Sequence, residues 1–200
     1  NIISSYVNTS GESMWNILTG SLYNTTTGQY VPAATVTSSA TTPIRLIKNN
    51  EGAIIDFTQD SNYNGIGNWN PGEGYQIRMY SSDYQLRISG SIHSQFSYLI
   101  YPGWYIMSFP SSVPLDPEVL FAGQIGNIDL IKDNDGQIFA PPNTTSNTSD
   151  ALFNDIGNFQ PGQGYQIKVI NNPITISVTN DTLDTGETIL IPGCTNPLAN

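Results

Sequence analysis

The chain contains 200 residues, of which 6 are Lys or Arg and 16 are Asp or Glu, so its net charge is −10. Nucleic acids and anionic membranes need a row of cations to neutralise phosphates, so this balance disfavours both as partners. No run of about 18 apolar residues is present, and no membrane insertion is expected. Charged residues make up only 11% of the chain, and a surface of Asn, Ser, Thr, Gln and Gly is typical of extracellular β proteins.

Residues 1–92 predict one folding unit, in which a strand, a short helix and a hairpin are followed by two closing strands. Thr9 and Glu12 form a capping box at the start of a helix over 9–20, and Gly20 is its stop signal. A Thr- and Ser-rich insertion loop, 21–43, follows this helix. The predicted strands and hairpin are NIISSYV (1–7), IRLIKNNEGAIIDF (44–57), IGNWNPGEGYQIRMY (66–80) and YQLRISG (84–90).

Residues 103–179 repeat this order after a predicted linker, 93–102. Asp116 is the expected N-cap of a two-turn helix, with Pro117 at its first position and Gly123 as its stop signal. The other predicted elements of this unit are GWYIMSFP (103–110), NIDLIKDNDGQIF (127–139), IGNFQPGQGYQIKVI (156–170) and NPITISV (172–178).

The two copies are offset by 84 residues at the hairpin and by 90 at the PGxGYQI motif, so their length differences lie in loops. The second unit has its own insertion loop, 140–151, and a tail follows at 180–200. The sequence therefore predicts a mainly β (β-rich α+β) fold of two tandem repeats, each about 90 residues of antiparallel strands with one short helix. An extended C-terminal tail completes the chain. We expect Trp15 and Trp104 in the cores.

Three recurring motifs carry a family resemblance. The segments GWYIMS, LIKDNDG and IGNFQPGQGYQI resemble the tandem repeat of large secreted Bacteroidota surface proteins and of marine bacteriophage virion proteins. The resemblance covers both units, although the first copy lacks the leading Gly-Trp, has NNEG in place of DNDG and carries the 21–43 insertion. The tail, IPGCTNPLAN, resembles the start of a short cysteine-bearing repeat. The resemblance implies a modular extracellular or particle-surface protein and assigns no catalytic residues.

The sequence offers one weak metal candidate and one orphan thiol. Asp133 and Asp135, followed by Gly136, have the spacing found at the start of a calcium-binding loop, but the remaining ligands of an EF-hand are missing. The equivalent stretch of the first unit, KNNEGA, changes both acids, so a hairpin turn is the favoured interpretation and no cofactor is expected. Cys194 has no partner cysteine in the chain, so it is either a free thiol or one half of an intermolecular disulfide.

Aromatic residues in polar loops are the main binding candidates. Tyr23, Tyr30 and Tyr63 lie in such loops, and Trp69 aligns with Phe159 of the second unit. Aromatic faces bury area at low entropic cost and stack on sugars, so these four residues could form a carbohydrate-binding platform. Ordinary packing is the competing interpretation.

Catalytic constellations are weakly represented. His93 is the single histidine and lies far along the chain from Cys194, and the acids nearest to apolar runs are Asp56 and Asp129. We therefore expect a non-enzymatic structural or adhesive module of a larger extracellular surface or virion-surface protein. Its expected partners are other subunits or neighbouring modules, a host receptor or a glycan. A carbohydrate-binding module is the alternative, and a hydrolase with dispersed carboxylates is a third interpretation.

Overall fold

The computed structural model describes residues 2–4, 7–9, 11–31, 43–57, 64–80, 83–180 and 188–191. These residues form a mainly β fold of antiparallel sheets with two short helices, which confirms the predicted fold class. In the first unit the elements are β1 (Ile2–Ile3), β2 (Val7–Asn8), α1 (Met14–Gly20), β3 (Leu22–Asn24), β4 (Gln29–Tyr30), β5 (Ile44–Lys48), β6 (Ile54–Asp56), β7 (Tyr75–Met79) and β8 (Tyr84–Ser89).

The second half of the chain repeats the main-sheet strands and the short helix of the first unit, with one further strand at the edge of its main sheet. Its elements are β9 (Ser91–Ile92), β10 (Gln95–Ile100), β11 (Gly103–Ser108), α2 (Pro117–Leu120), a 3₁₀ turn (Ile125–Asn127), β12 (Ile128–Lys132), β13 (Ile138–Ala140), β14 (Phe153–Asn154), β15 (Gly164–Val169), β16 (Ile174–Thr179) and β17 (Thr188–Ile191). The main sheet of the first unit has the order β1-β7-β5-β6, and that of the second has the order β11-β15-β12-β13-β14. The shared order is consistent with two tandem repeats.

The helix caps follow local side-chain chemistry. The Asp116 carboxylate accepts a hydrogen bond from the Glu118 N–H at 2.8 Å, which confirms the predicted N-cap of α2. The first helix starts later than predicted, at Met14, because Ser13 is its N-cap and accepts a bond from the Asn16 N–H at 3.2 Å. The expected capping box at Thr9 forms a turn before the helix instead.

Apolar residues collect into two clusters, one drawn from residues 3–92 and the other from residues 96–178. Tyr75 and Tyr165 lie at equivalent places in the two clusters and are fully buried. Trp15 packs against the first cluster, where its ring stacks on Phe57 with centroids 4.6 Å apart. The prediction for Trp104 was wrong, since its side chain is 58% exposed at the start of β11.

Two segments outside the predicted repeats form strands. Residues 95–100 of the expected linker form β10, which pairs with β16 over six residues and places Ile100 in the second core. The segment therefore belongs to the second unit, because its alternating Phe96, Tyr98 and Ile100 face that core. In the tail, β17 returns to the first unit and pairs with β8.

The PGxGYQI motif builds the same turn in both units. The Tyr75 hydroxyl accepts a hydrogen bond from the Asn70 N–H at 2.8 Å, and the Tyr165 hydroxyl accepts one from the Gln160 N–H at 2.7 Å. Each tyrosine ring packs on the aromatic residue that precedes the turn, Trp69 in the first unit and Phe159 in the second. The motif is thus repeated because it closes the turn that leads into β7 and β15.

Candidate functional site

The two units meet through asparagine side chains that bind an outer strand of the opposite unit's main sheet. In the first unit, Asn50 follows β5; its amide donates to the Ile106 carbonyl at 3.0 Å and its oxygen accepts from the Ile106 N–H. Asn134, after β12, makes the same two bonds with Ile2. Because each unit gives the other the same pair of bonds, the junction has approximate two-fold symmetry.

Two glycines of the repeated motif allow the backbones to approach closely at this junction. The Gly74 N–H donates to the Ile106 carbonyl at 3.0 Å, and a Cβ on Gly74 would lie 2.6 Å from the Met107 oxygen. A Cβ on Gly164 would lie 2.5 Å from the Ile2 side chain. Neither glycine has a positive φ, so contact with the other unit is what requires a missing side chain.

A groove runs along the outer face of this junction, and we call it the junction groove. It consists of two neighbouring cavities of about 470 and 360 Å³ that share Lys48, Gln76 and Gln166 in their walls. Gln76 and Gln166 point outward because each lies between two buried residues of its strand. Cross-strand pairing places Lys48 opposite Gln76 and Lys132 opposite Gln166. The volumes are in the range of small-ligand sites.

Three cations line the junction groove of this acidic protein. Lys48, Arg78 and Lys132 are three of the six cations in the chain, and they line its walls. Asp133 is the acid among the described lining residues. Trp104 lies at the rim of the smaller cavity with most of its ring exposed. An aromatic face beside amide and ammonium groups suits a hydroxylated or anionic ligand.

Comparison with known proteins does not assign the chain to a family. No protein family, curated protein or solved structure matches it. Within the described residues, no helix is both long and apolar enough to cross a bilayer. The candidate site therefore rests on its own geometry.

The aromatic residues predicted from sequence fall in different places. Trp69 is 3% exposed and packed on Tyr75, so its ring is not available to a ligand. Tyr30 is 49% exposed and packs edge-on to Tyr23 across the β3–β4 hairpin, with centroids 5.3 Å apart. Tyr63 lies outside the described residues.

Tyr30 lines a third cavity, of about 450 Å³, between α1 and β8. Glu12, Asn16 and Arg87 also line it. The Arg87 guanidinium lies 3.3 Å above the centre of the Tyr23 ring, a cation–π contact that fixes both side chains. The structure thus places Tyr23 and Tyr30 together and leaves Trp69 apart from them.

The weak calcium candidate serves the hairpin turn. The Asp133 carboxylate accepts hydrogen bonds from the Asp135 N–H at 2.9 Å and from the Gln137 N–H at 2.8 Å. Burial raises the pKa of this carboxyl. No group of three acids, His or Cys suited to a metal occurs among the described residues, and Cys194 lies outside them.

The junction groove was not predicted from the sequence, although the segments that line it are recognisable there as repeats. LIK and YQI recur in both units, and alternation along a strand turns the lysine and the glutamine to the same outer face. Nothing local shows that the two outer faces meet, because the junction joins residues far apart in the chain.

Proposed function

We propose that the protein is a non-enzymatic structural or adhesive module of a larger extracellular or virion-surface assembly, and that it acts through protein–protein or receptor contacts. The observation that carries this proposal is the use of the repeated residues. The tyrosines close turns, and the asparagines and glycines join the two units. Because the repeated residues have structural roles, recognition of a partner is left to the segments that differ between the two units.

The acids with shifted pKa values support a structural role, because each is engaged within the fold. Burial raises the pKa of Glu73, which accepts a hydrogen bond from the Tyr75 hydroxyl at 3.2 Å. Burial also opposes ionisation of Asp129, but bonds from Lys168 and Ser146 lower its pKa overall. An ionised Asp129 held 2.7 Å from the Lys168 ammonium is a poor general acid.

A carbohydrate-binding role is the second candidate, and the exposed ring of Trp104 at the junction groove favours it. In this proposal the ligand stacks on Trp104 and takes hydrogen bonds from Gln166 and Lys132. This site replaces the platform predicted around Trp69.

Titration calorimetry against neutral and anionic polysaccharides, with release of reducing ends followed in the same samples, tests both candidates. Saturable heat without new reducing ends supports carbohydrate binding, and the absence of heat with every polysaccharide removes that candidate and leaves the structural module. Release of reducing ends by the purified chain would overturn the non-enzymatic proposal.

Trp104→Ala tests the location of the site. If the junction groove binds glycan, this change lowers affinity by about tenfold or more, in line with the loss of one aromatic contact. Phe153→Ala is the matched control, because Phe153 is a comparably exposed aromatic residue, at 49%, but lies on β14, away from the groove. Equal affinities of the two variants would exclude Trp104 as a contact residue.

A further inference from the structure

The last strand of each unit receives an added strand in the same register. In the second unit, β10 pairs with β16 so that Phe96 lies opposite Val178. In the first unit, β17 pairs with β8 so that Ile189 lies opposite Ile88. Val178 and Ile88 are equivalent positions, 90 residues apart, as in the PGxGYQI motif.

The two added strands also occupy the same edge. The Arg87 N–H donates to Ser21 on the β3 side of β8, so the alternate residues Leu86 and Ile88 face β17. In the second unit, the Asn180 N–H donates to Ser94 at the start of the β10 pairing, so even-numbered residues of β16 face β10. β17 therefore takes, on the first unit, the place that β10 takes on the second.

The added strands have related positions along the chain. β10 starts at Gln95, six residues after β8 ends, and β17 starts at Thr188, nine residues after β16 ends. Each strand thus follows one unit and completes the other. β10 also lies directly before the unit that it completes, whereas β17 reaches back from the far end of the chain.

We propose that the β8 edge is a strand-acceptor site whose partner is the 188–191 strand of a second copy of this chain. Within one chain, β10 lies between the first unit and the second unit, which it completes. When β17 of one copy pairs with β8 of the next copy, β17 likewise lies between the second unit of its own copy and the first unit of the next, which it completes. The contacts are those of the closed chain, so the exchange gains and loses equivalent pairs. Main-chain hydrogen bonds along an open edge are a common basis of such strand addition.

This partner gives the structural module a head-to-tail mode of assembly, so the inference rests on the proposed function. The pairing of β17 with β8 covers four residue pairs against six for β10 with β16. The shorter pairing makes β17 the more readily released strand. A heterologous contact of this kind forms open chains of copies or closed rings.

Trapping by disulfide tests the exchange in the full-length chain. Ser89 and Thr188 lie directly opposite each other as a pair without mutual hydrogen bonds. Such pairs have Cα atoms about 4.5 Å apart, within reach of a disulfide. One chain carries Ser89→Cys and another carries Thr188→Cys, both with Cys194→Ser. They are mixed and oxidised at about 1 mM, the effective concentration expected of a short tether.

The expected result is a covalent heterodimer of the two chains, identified by intact mass. Ser97→Cys is the control acceptor, because Ser97 is also an exposed serine but lies on β10, which is already paired with β16. The heterodimer with Ser89→Cys should form at least about tenfold faster than the one with Ser97→Cys.

A chain that carries both cysteines tests the closed form. If this chain forms an internal disulfide while mixed chains stay monomeric, the strand does not exchange and the proposal is overturned. If neither preparation forms the disulfide, the pairing itself is wrong and the proposal also fails. Neither outcome changes whether the chain binds partners without turnover, which is how the proposed function is tested.

Discussion

Substitution of the motif glycines is the sharpest test of the junction between the units. Gly74→Ala would place a Cβ 2.6 Å from the Met107 oxygen and 2.9 Å from the Ile106 side chain. Gly164→Ala would place one 2.5 Å from the Ile2 side chain and 3.0 Å from the Ile3 oxygen. These distances are well inside van der Waals contact, so the two units must move apart.

The expected loss of stability depends on which atoms must move to make room for the new Cβ. At Gly74 the nearest atom belongs to the backbone of β11, which is hydrogen-bonded to β15 and shifts only as part of the strand. Overpacking a rigid contact costs about 1–3 kcal/mol, and we expect the upper end at Gly74. At Gly164 the nearest atom is the Cγ2 methyl of Ile2, a buried β-branched side chain that is stiff at χ1, and the Ile3 backbone oxygen is 3.0 Å away, so we expect a comparable cost. For a chain of this size, 1 kcal/mol corresponds to about 2–4 °C in Tm.

Thermal unfolding, followed by calorimetry, measures both variants against a matched control. Gly126→Ala serves as the control, because a Cβ there meets no atom within 4 Å and the residue has no positive φ. We expect Gly126→Ala to lie within about 0.5 kcal/mol of the parent or slightly above it, through reduced unfolded-state entropy. A Gly74→Ala chain as stable as the control would show that the two units do not approach as closely as described.

Two further predictions concern polar contacts. Asp129→Asn should lower stability at neutral pH by about 2 kcal/mol, because Lys168 loses its buried partner. The folded-state pKa of Asp129 is lowered, so its contribution is present above the unfolded pKa and is lost as pH falls through the folded value. Between pH 5 and 2 the variant should therefore lose Tm less steeply than the parent, and parallel curves would contradict this. Asn134→Ala should cost about 1–2 kcal/mol by leaving the Ile2 backbone unpaired. Asn134→Gln, measured by urea unfolding, should recover little if the bond geometry matters.

Elements with local signals could be predicted from the sequence. The Asp-Pro pair at 116–117 fixes the start of α2, because the carboxylate caps a free N–H and proline has none to lose. The hairpin at 127–139 carries an Asn-Asp-Gly turn between two apolar runs, and Gly136 takes the positive φ that such a turn requires.

Side-chain direction was harder to predict in the hairpins. Leu46 and Ile54 are only partly buried, whereas their neighbours Ile47 and Ile55 are fully buried. The pairing of β5 with β7 shifts register between Ile44 and Leu46, and the pairing of β12 with β15 shifts at the equivalent place. A bulge changes which residues face the core, and simple alternation does not reveal it.

The same irregularity explains an acid in a strand core. Asp129 lies at the shifted position of β12, where its carboxylate has no exposed surface and bonds to Lys168 and to the Ser146 N–H. The sequence showed an acid beside an apolar run but not its partners, which come from β15 and from the 140–151 loop. Its burial depends on long-range contacts.

The β8 edge can pair with β17 of its own chain or with β17 of another copy, and the concentrations of the two strands decide which pairing forms. In the closed chain, the effective concentration of β17 at its own β8 edge is on the order of millimolar for a short tether. Dilute chains should therefore be monomeric even where exchange is favourable. A surface or particle that holds copies side by side raises the local concentration of foreign strands to the same order. Assembly through β8 would then depend on how closely the copies are arrayed, which suits a module that works within a larger structure.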